Sequence, residues 1–225
     1  MNPSTLALPL PVTPATATGS TSRAPLLPRA RISVRTAIWS VLLGISLTAP
    51  FMIIGAYFPP SETVRAKMNA IPFHPLAFLV ASGFIGPVLE EIVYRGFFQG
   101  ILRRYSPVWV AIVVPSVVFA ATHIIPAGWG YINAFPIACL FAWLVLRTGS
   151  LAPGLLCHCT FNITAGLALT PIFNLAEKHL DRATGASFNP VLDLFPVWWI
   201  ALSLALTVSA LVMIRGDTAT RPAAH

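Results

Sequence analysis

The sequence predicts an all-α fold, a polytopic membrane helix bundle of about six transmembrane helices, on three observations. Of its 225 residues 56% are hydrophobic and only 9% are charged, against about 25% charged in a soluble domain. The mean hydropathy is +0.77, and the apolar residues fall in runs of membrane-crossing length separated by proline, glycine and asparagine breaks. The basic residues gather at the ends of those runs. No water-soluble surface can be built from such a composition, and no compositional break divides the apolar region in two.

Residues 1–30 are rich in Pro, Thr, Ala and Ser and contain no acid. Such a segment cannot bury enough apolar surface to fold, so a disordered tail is expected. Residues 36–58 then run without a charge, too long for a signal-peptide core and long enough to span, which predicts an uncleaved signal anchor. The Arg-bearing, acid-free start also leaves an organellar transit peptide open. Five further spans follow at 75–102, 107–125, 131–146, 151–173 and 191–214, with breaks at Pro59-Pro60, Ser106-Pro107, 126–130, 148–153 and Asn189-Pro190. Together they define a transmembrane domain over 31–215, followed by a short tail at 216–225.

With six spans, one side receives Arg23, Arg29, Arg31, Arg35, Arg103, Arg104, Arg147, Arg215 and Arg221, and the other Arg65, Lys67, Lys178 and Arg182. The positive-inside rule therefore places both termini in the cytoplasm, and a bacterial cytoplasmic membrane is the expected location. The net charge of +7 would suggest nucleic acid in a soluble protein. Here the basic residues punctuate the spans, so the lipid bilayer is the expected partner and nucleic acid is not. Cys139, Cys157 and Cys159 all lie in apolar segments, and an odd number buried there makes no disulfide framework.

Glu90 and Glu91 stand side by side within the second span, with Arg95 one turn further on. Insertion scales charge about 2.5–3.5 kcal/mol for each ionised group at the centre of a membrane helix, so this cluster marks a functional site. The same spacing of four recurs on two other spans, as Phe119-x-x-x-His123 and His158-x-x-x-Asn162. Residues four apart share a helix face. Glu91 and Arg95 are offset by about 40° in the favourable order and can pair, whereas Glu90 points about 100° away, toward the histidines. A carboxylate with two imidazoles suits water activation: the carboxylate takes a proton from water, while imidazole or amide groups orient that water and stabilise an oxyanion. The reaction class would be amide hydrolysis within the membrane.

Each residue also has a plainer reading. Glu91 can serve only to neutralise Arg95, a membrane histidine can simply bond a backbone carbonyl, and Asn162 and Phe119 can be packing residues. His74, His179 and His225 lie at span edges or in the tail and read as solvated. Neighbouring side chains diverge by about 100° on a helix, so Cys157, His158 and Cys159 cannot all face one ion.

The ordered set Glu90-Glu91-x-x-x-Arg95, Phe119-x-x-x-His123 and His158-x-x-x-Asn162 resembles the CAAX protease and bacteriocin-processing (Abi) family of intramembrane endopeptidases. The resemblance covers roughly residues 75–175. It implies that Glu90 activates water, that Glu91 and Arg95 support it, and that His123, His158 and Asn162 complete the site. It implies a membrane-associated protein or peptide substrate: a CAAX-type protein, a bacteriocin precursor or a C-terminally sorted protein. No cofactor is favoured; zinc is the alternative, held by Glu90, His123 and His158, but the chain has no His-Glu-x-x-His helix. A membrane scaffold or self-immunity protein is a competing function, and so is a proton-coupled transporter, which would usually show repeat symmetry. One tension stands in the simple topology: Glu90 lies midway along its span, His158 near one end of its own and His123 near the opposite end.

Overall fold

The computed structural model describes residues 31–57, 74–127, 132–169 and 197–219, together with the isolated positions 63, 66 and 70. The expected N-terminal tail, the basic residues Arg65, Lys67, Lys178, Arg182 and Arg221, and His179 and His225 lie outside them. The described residues form six helical units: α1 (Val34–Tyr57), α2 (Pro75–Tyr105), α3 (Val108–Ala127), α4 (Ala134–Thr148), α5 (Ala152–Ile163, continued by Thr164–Leu169) and α6 (Val197–Ala219). The all-α bundle is thus what the composition called for. Segments Val34–Ile54, Pro75–Tyr105 and Trp198–Asp217 are long and apolar enough to cross a membrane, while Val108–Ile124 and Ala134–Thr148 are shorter apolar helices. Large side chains such as Ile38, Phe84, Leu89, Val117, Leu202 and Val212 are exposed on the outside, the expected face toward lipid.

Two boundaries differ from the hydropathy reading. Helix α2 runs on through Arg103 and Arg104, and α6 runs past 215 to Ala219. Charged residues at a helix end are tolerated because they reach water, so a hydropathy cut-off stops short of the hydrogen-bonded end. In α6 the extension has a partner, since Asp217 accepts hydrogen bonds from Ser33 and Thr36 at the start of α1.

Helix α2 is not uniform. Its turns widen into π-helix at Leu79–Ile85 and again at Glu91–Phe98; Gly86 N–H, for instance, reaches back to the Ala81 carbonyl. Such bulges concentrate at functional sites, and the second begins on the acidic pair.

Small residues let the helices meet. A Cβ on Gly44 of α1 would lie 2.5 Å from the Cys157 carbonyl oxygen and 2.9 Å from Thr160 Cβ of α5, so the two backbones cross at a distance only glycine permits. Around that crossing lies the core of Leu43, Phe141, Leu144, Cys157, Ala210 and Ile214. Ser46 and Thr207 share a hydrogen bond of 2.9 Å between α1 and α6, a polar tie of the kind membrane helices use in place of a hydrophobic driving force.

The expected spread of the three motifs along the membrane is corrected by two features. Helices α2 and α3 form a hairpin about the turn at 106–107. Glu90 precedes the end of α2, and His123 follows the start of α3, by the same fifteen residues (90 to 105 and 108 to 123), so the hairpin brings them to one level. The turn between α4 and α5 is sealed in protein, because Thr148, Ser150, Pro153 and Gly154 are buried. Gly149 closes α4 in the left-handed conformation at φ 65°, its N–H bonded to the Val145 carbonyl at 2.9 Å. The Thr148 hydroxyl donates to the Leu144 carbonyl at 2.7 Å, and Ser150 Oγ accepts from the Ala152 N–H at 3.3 Å. A turn sealed in protein must have its polar groups satisfied, and these bonds let α5 begin inside the bundle with His158 two turns along.

Candidate active site

Among the described residues Arg95 is the largest fully buried side chain, and it organises one half of the site. Its Nη1 lies 3.2 Å from Glu91 Oε1, with both residues 1% exposed. Its Nη2 donates to the Ala138 carbonyl of α4 at 3.0 Å, and its guanidinium lies 4.8 Å from the ring centre of Phe119 and 5.4 Å from that of Phe141. A buried cation is tolerable only when paired and hydrogen-bonded, and the aromatic faces add to its stabilisation. One turn on, Gln99 donates to the Ala142 carbonyl at 2.9 Å, so α2 reads two successive turns of the α4 backbone. The sequence reading omitted Gln99, although it continues the spacing of four from Glu91 and Arg95.

Glu91 reaches beyond Arg95. Its Oε1 lies 3.0 Å from His158 Nδ1; an ionised carboxylate can only accept, so Nδ1–H donates. His158 is stacked on Phe141, with centroids 4.6 Å apart and planes at 27°, and is nearly buried. Phe141 carried no sequence signal, being one apolar residue among many in α4. With Nδ1 holding the proton, the neutral ring presents Nε2 as an acceptor, and Nε2 lies 3.5 Å from Glu90 Oε2.

His123 mirrors this arrangement from α3. Its Nδ1 is 2.9 Å from the Phe119 carbonyl, an acceptor, so Nδ1–H donates there too. Its Nε2 lies 4.0 Å from Glu90 Oε1. The spacing of four between Phe119 and His123 is thus a backbone-to-ring hydrogen bond plus a ring contact of 4.5 Å. Phe119 itself is 3% exposed and also packs edge-on against Tyr94.

The structure therefore brings five of the six expected residues together on three helices, and divides them by access. Glu91, Arg95 and His158 are sealed, whereas Glu90 and His123 are 31% and 30% exposed. The sixth, Asn162, sits one turn beyond His158 and donates to the Ser82 carbonyl at 2.9 Å. Its partner is the backbone of the first π segment of α2, two turns before the acids. Cys157 and Cys159 flank His158 as buried free thiols.

With this geometry in hand, comparisons with known proteins agree. Residues 72–164, somewhat under half of the chain, match the family described as Rce1-like, Type II CAAX prenyl endopeptidase Rce1-like. The chain is 28% identical over 121 residues, 53% of its length, to a protein of Bacillus subtilis (strain 168) named "Putative membrane peptidase YdiL", and spans about half (48%) of that relative. No solved structure matches significantly. The matched region holds all three motifs, so the resemblance read from them stands, and the chain is an integral membrane protein.

Proposed function

We propose that the chain is an intramembrane endopeptidase in which Glu90 is the general base for hydrolysis of a peptide bond in a membrane-associated protein. The observation that carries this reading is that Glu90 faces Nε2 of His158 at 3.5 Å and of His123 at 4.0 Å while Glu91 is committed to Arg95 and His158. A carboxylate oxygen and an imidazole lone pair both accept, so a hydrogen donor belongs between them. Water supplies two donor hydrogens and a nucleophilic oxygen.

In the reaction, a water proton passes to Glu90 as the water oxygen bonds to the carbonyl carbon of the scissile peptide. The water's other hydrogen is accepted by an imidazole Nε2 lone pair, which orients the attacking oxygen, and His123 presents its Nε2 from the open side. The carbon–nitrogen bond then breaks and the departing amine takes the proton from Glu90. Glu91 holds His158 in the tautomer that faces Glu90, and Arg95 holds Glu91 in place. The family match and the membrane-peptidase relative support a protease acting on a CAAX-type substrate; bacteriocin precursors and C-terminally sorted proteins fit the same chemistry.

Zinc would require Glu90, His123 and His158 as ligands. The chain has no His-Glu-x-x-His helix to pair such ligands on one element, so no step is routed through a metal and the proposal is a glutamic-type mechanism. The test is to compare the termini of membrane proteins in cells carrying the wild-type chain or Glu90→Gln. New termini that depend on Glu90 are expected. Identical termini in both strains would overturn the enzyme reading in favour of a scaffold or self-immunity protein.

A further inference from the structure

A cleft of about 230 Å³ lies between α4 and α6, lined by Leu140, Trp143, Leu211, Val212 and Arg215. Leu140, Trp143 and Arg147 follow one another at spacings of three and four, so they share a face of α4. The cleft thus grades from aliphatic, through a tryptophan, to arginine. Tryptophan is enriched at the depth where lipid tails meet headgroups.

The arginine end is built by specific contacts. Arg147 Nη2 donates to the Arg215 carbonyl at 2.9 Å, which folds the α4 arginine over the end of α6. From α1, Arg35 Nη2 approaches Met213 Sδ at 2.9 Å, bringing a third guanidinium to the same helix end. Arg147 Nε is buried and has no hydrogen-bond partner among the described residues.

We propose that this cleft binds an anionic phospholipid, with an acyl chain along Leu140, Trp143, Leu211 and Val212 and the phosphate at Arg147 and Arg215. Charge complementarity selects the occupant: an apolar groove ending in guanidinium groups matches a molecule with a tail at one end and a negative charge at the other. Basic pockets between membrane helices take such headgroups, and the planar guanidinium fork fits phosphate oxygens. None of these residues contributes to the acidic site, so the proposal stands apart from the catalytic reading.

The test uses the purified full chain with dioleoyl phosphatidylglycerol, dioleoyl phosphatidylcholine and soluble glycerol phosphate, read by native mass spectrometry and by the thermal unfolding midpoint. Preferential retention of phosphatidylglycerol is expected, with a higher midpoint. Arg147→Gln and Arg215→Gln should each weaken that preference about fivefold, and Leu211→Trp, which fills the cleft, should weaken binding of both lipids. Should Arg147→Gln fail to fold, Arg215→Gln carries the test, since its own contact to Arg147 is through the backbone carbonyl. Equal retention of the two lipids, or an unchanged preference in Arg215→Gln, would overturn the proposal. So would equal stabilisation by glycerol phosphate, which would make this a free-phosphate site. A dimer that Leu211→Trp abolishes, with no lipid preference, would assign the cleft to a second copy and overturn it as well.

Discussion

Glu91 Oε1 lies 3.0 Å from His158 Nδ1, with both residues almost wholly buried. This one contact joins α2 to α5 and makes Glu91 more than a counter-ion for Arg95. A carboxylate that sets the tautomer of a histidine acts on chemistry through that histidine, in the manner of outer-shell carboxylates.

Replacing Glu91 with Gln is therefore expected to cost stability and rate together. It leaves Arg95 as a buried charge without its partner, a loss of about 3–5 kcal/mol. The amide can present its NH₂ to His158 and reverse the tautomer. The check is membrane accumulation alongside specific activity; a well-folded Glu91→Gln with full activity contradicts the role.

Replacing Glu90 with Gln keeps shape and removes the proton acceptor. Cleavage should fall by roughly 100-fold or more, the usual contribution of a general base, while protein accumulates normally because Glu90 is partly exposed and joins no buried ion pair. His123→Ala should likewise lose activity without losing protein. Normal turnover in Glu90→Gln, measured per mole of folded protein, rules out Glu90 as the base.

Gly44 offers a test of packing away from the acids. Ala at this position places a Cβ 2.5 Å from the Cys157 carbonyl oxygen, so α1 and α5 must separate, at a cost of about 1–3 kcal/mol for an overpacked contact. Thermal unfolding of the Ala variant in detergent should show a lowered midpoint; an unchanged midpoint would mean the crossing has slack.

On metal, chelation is expected to leave proteolysis intact, and elemental analysis to find less than about half an equivalent of zinc, since a true site would be near-stoichiometric. Activity lost to a chelator and restored by zinc would replace the glutamic mechanism with one using Glu90, His123 and His158 as ligands.

Orientation is open to reporter fusions. The described arginines Arg103, Arg104, Arg147 and Arg215 lie near the C-terminal ends of their helices, which the positive-inside rule assigns to the cytoplasm. Fusions after Arg103, Arg147 and Arg215 should report cytoplasmic; an external signal at Arg215 contradicts the arrangement.

Much of this was legible in the chain because the bilayer simplifies the code. Long charge-free runs gave the helices, and three spacings of four gave the residues that meet. Depth was not legible. Hydropathy takes each polar break for a solvated loop, whereas Thr148-Gly149-Ser150 is polar because a turn sealed in protein needs its own hydrogen-bond partners. Nor was the place of Asn162, whose spacing from His158 tells its helix face but not that a π turn of α2 offers it the Ser82 carbonyl. Phe141 was hidden by its ordinariness.

The hydrogen bonds of the 148–150 turn are all local, running only to residues two to four positions away. The turn thus satisfies its own polar groups without borrowing a hydrogen-bond partner from another helix. During biogenesis α4 and α5 can leave the translocation machinery as a single hairpin, already capped, and find α2 afterwards. On that order of events His158 arrives in the membrane on a preassembled unit, and the site comes into being only when that hairpin docks against the acidic helix.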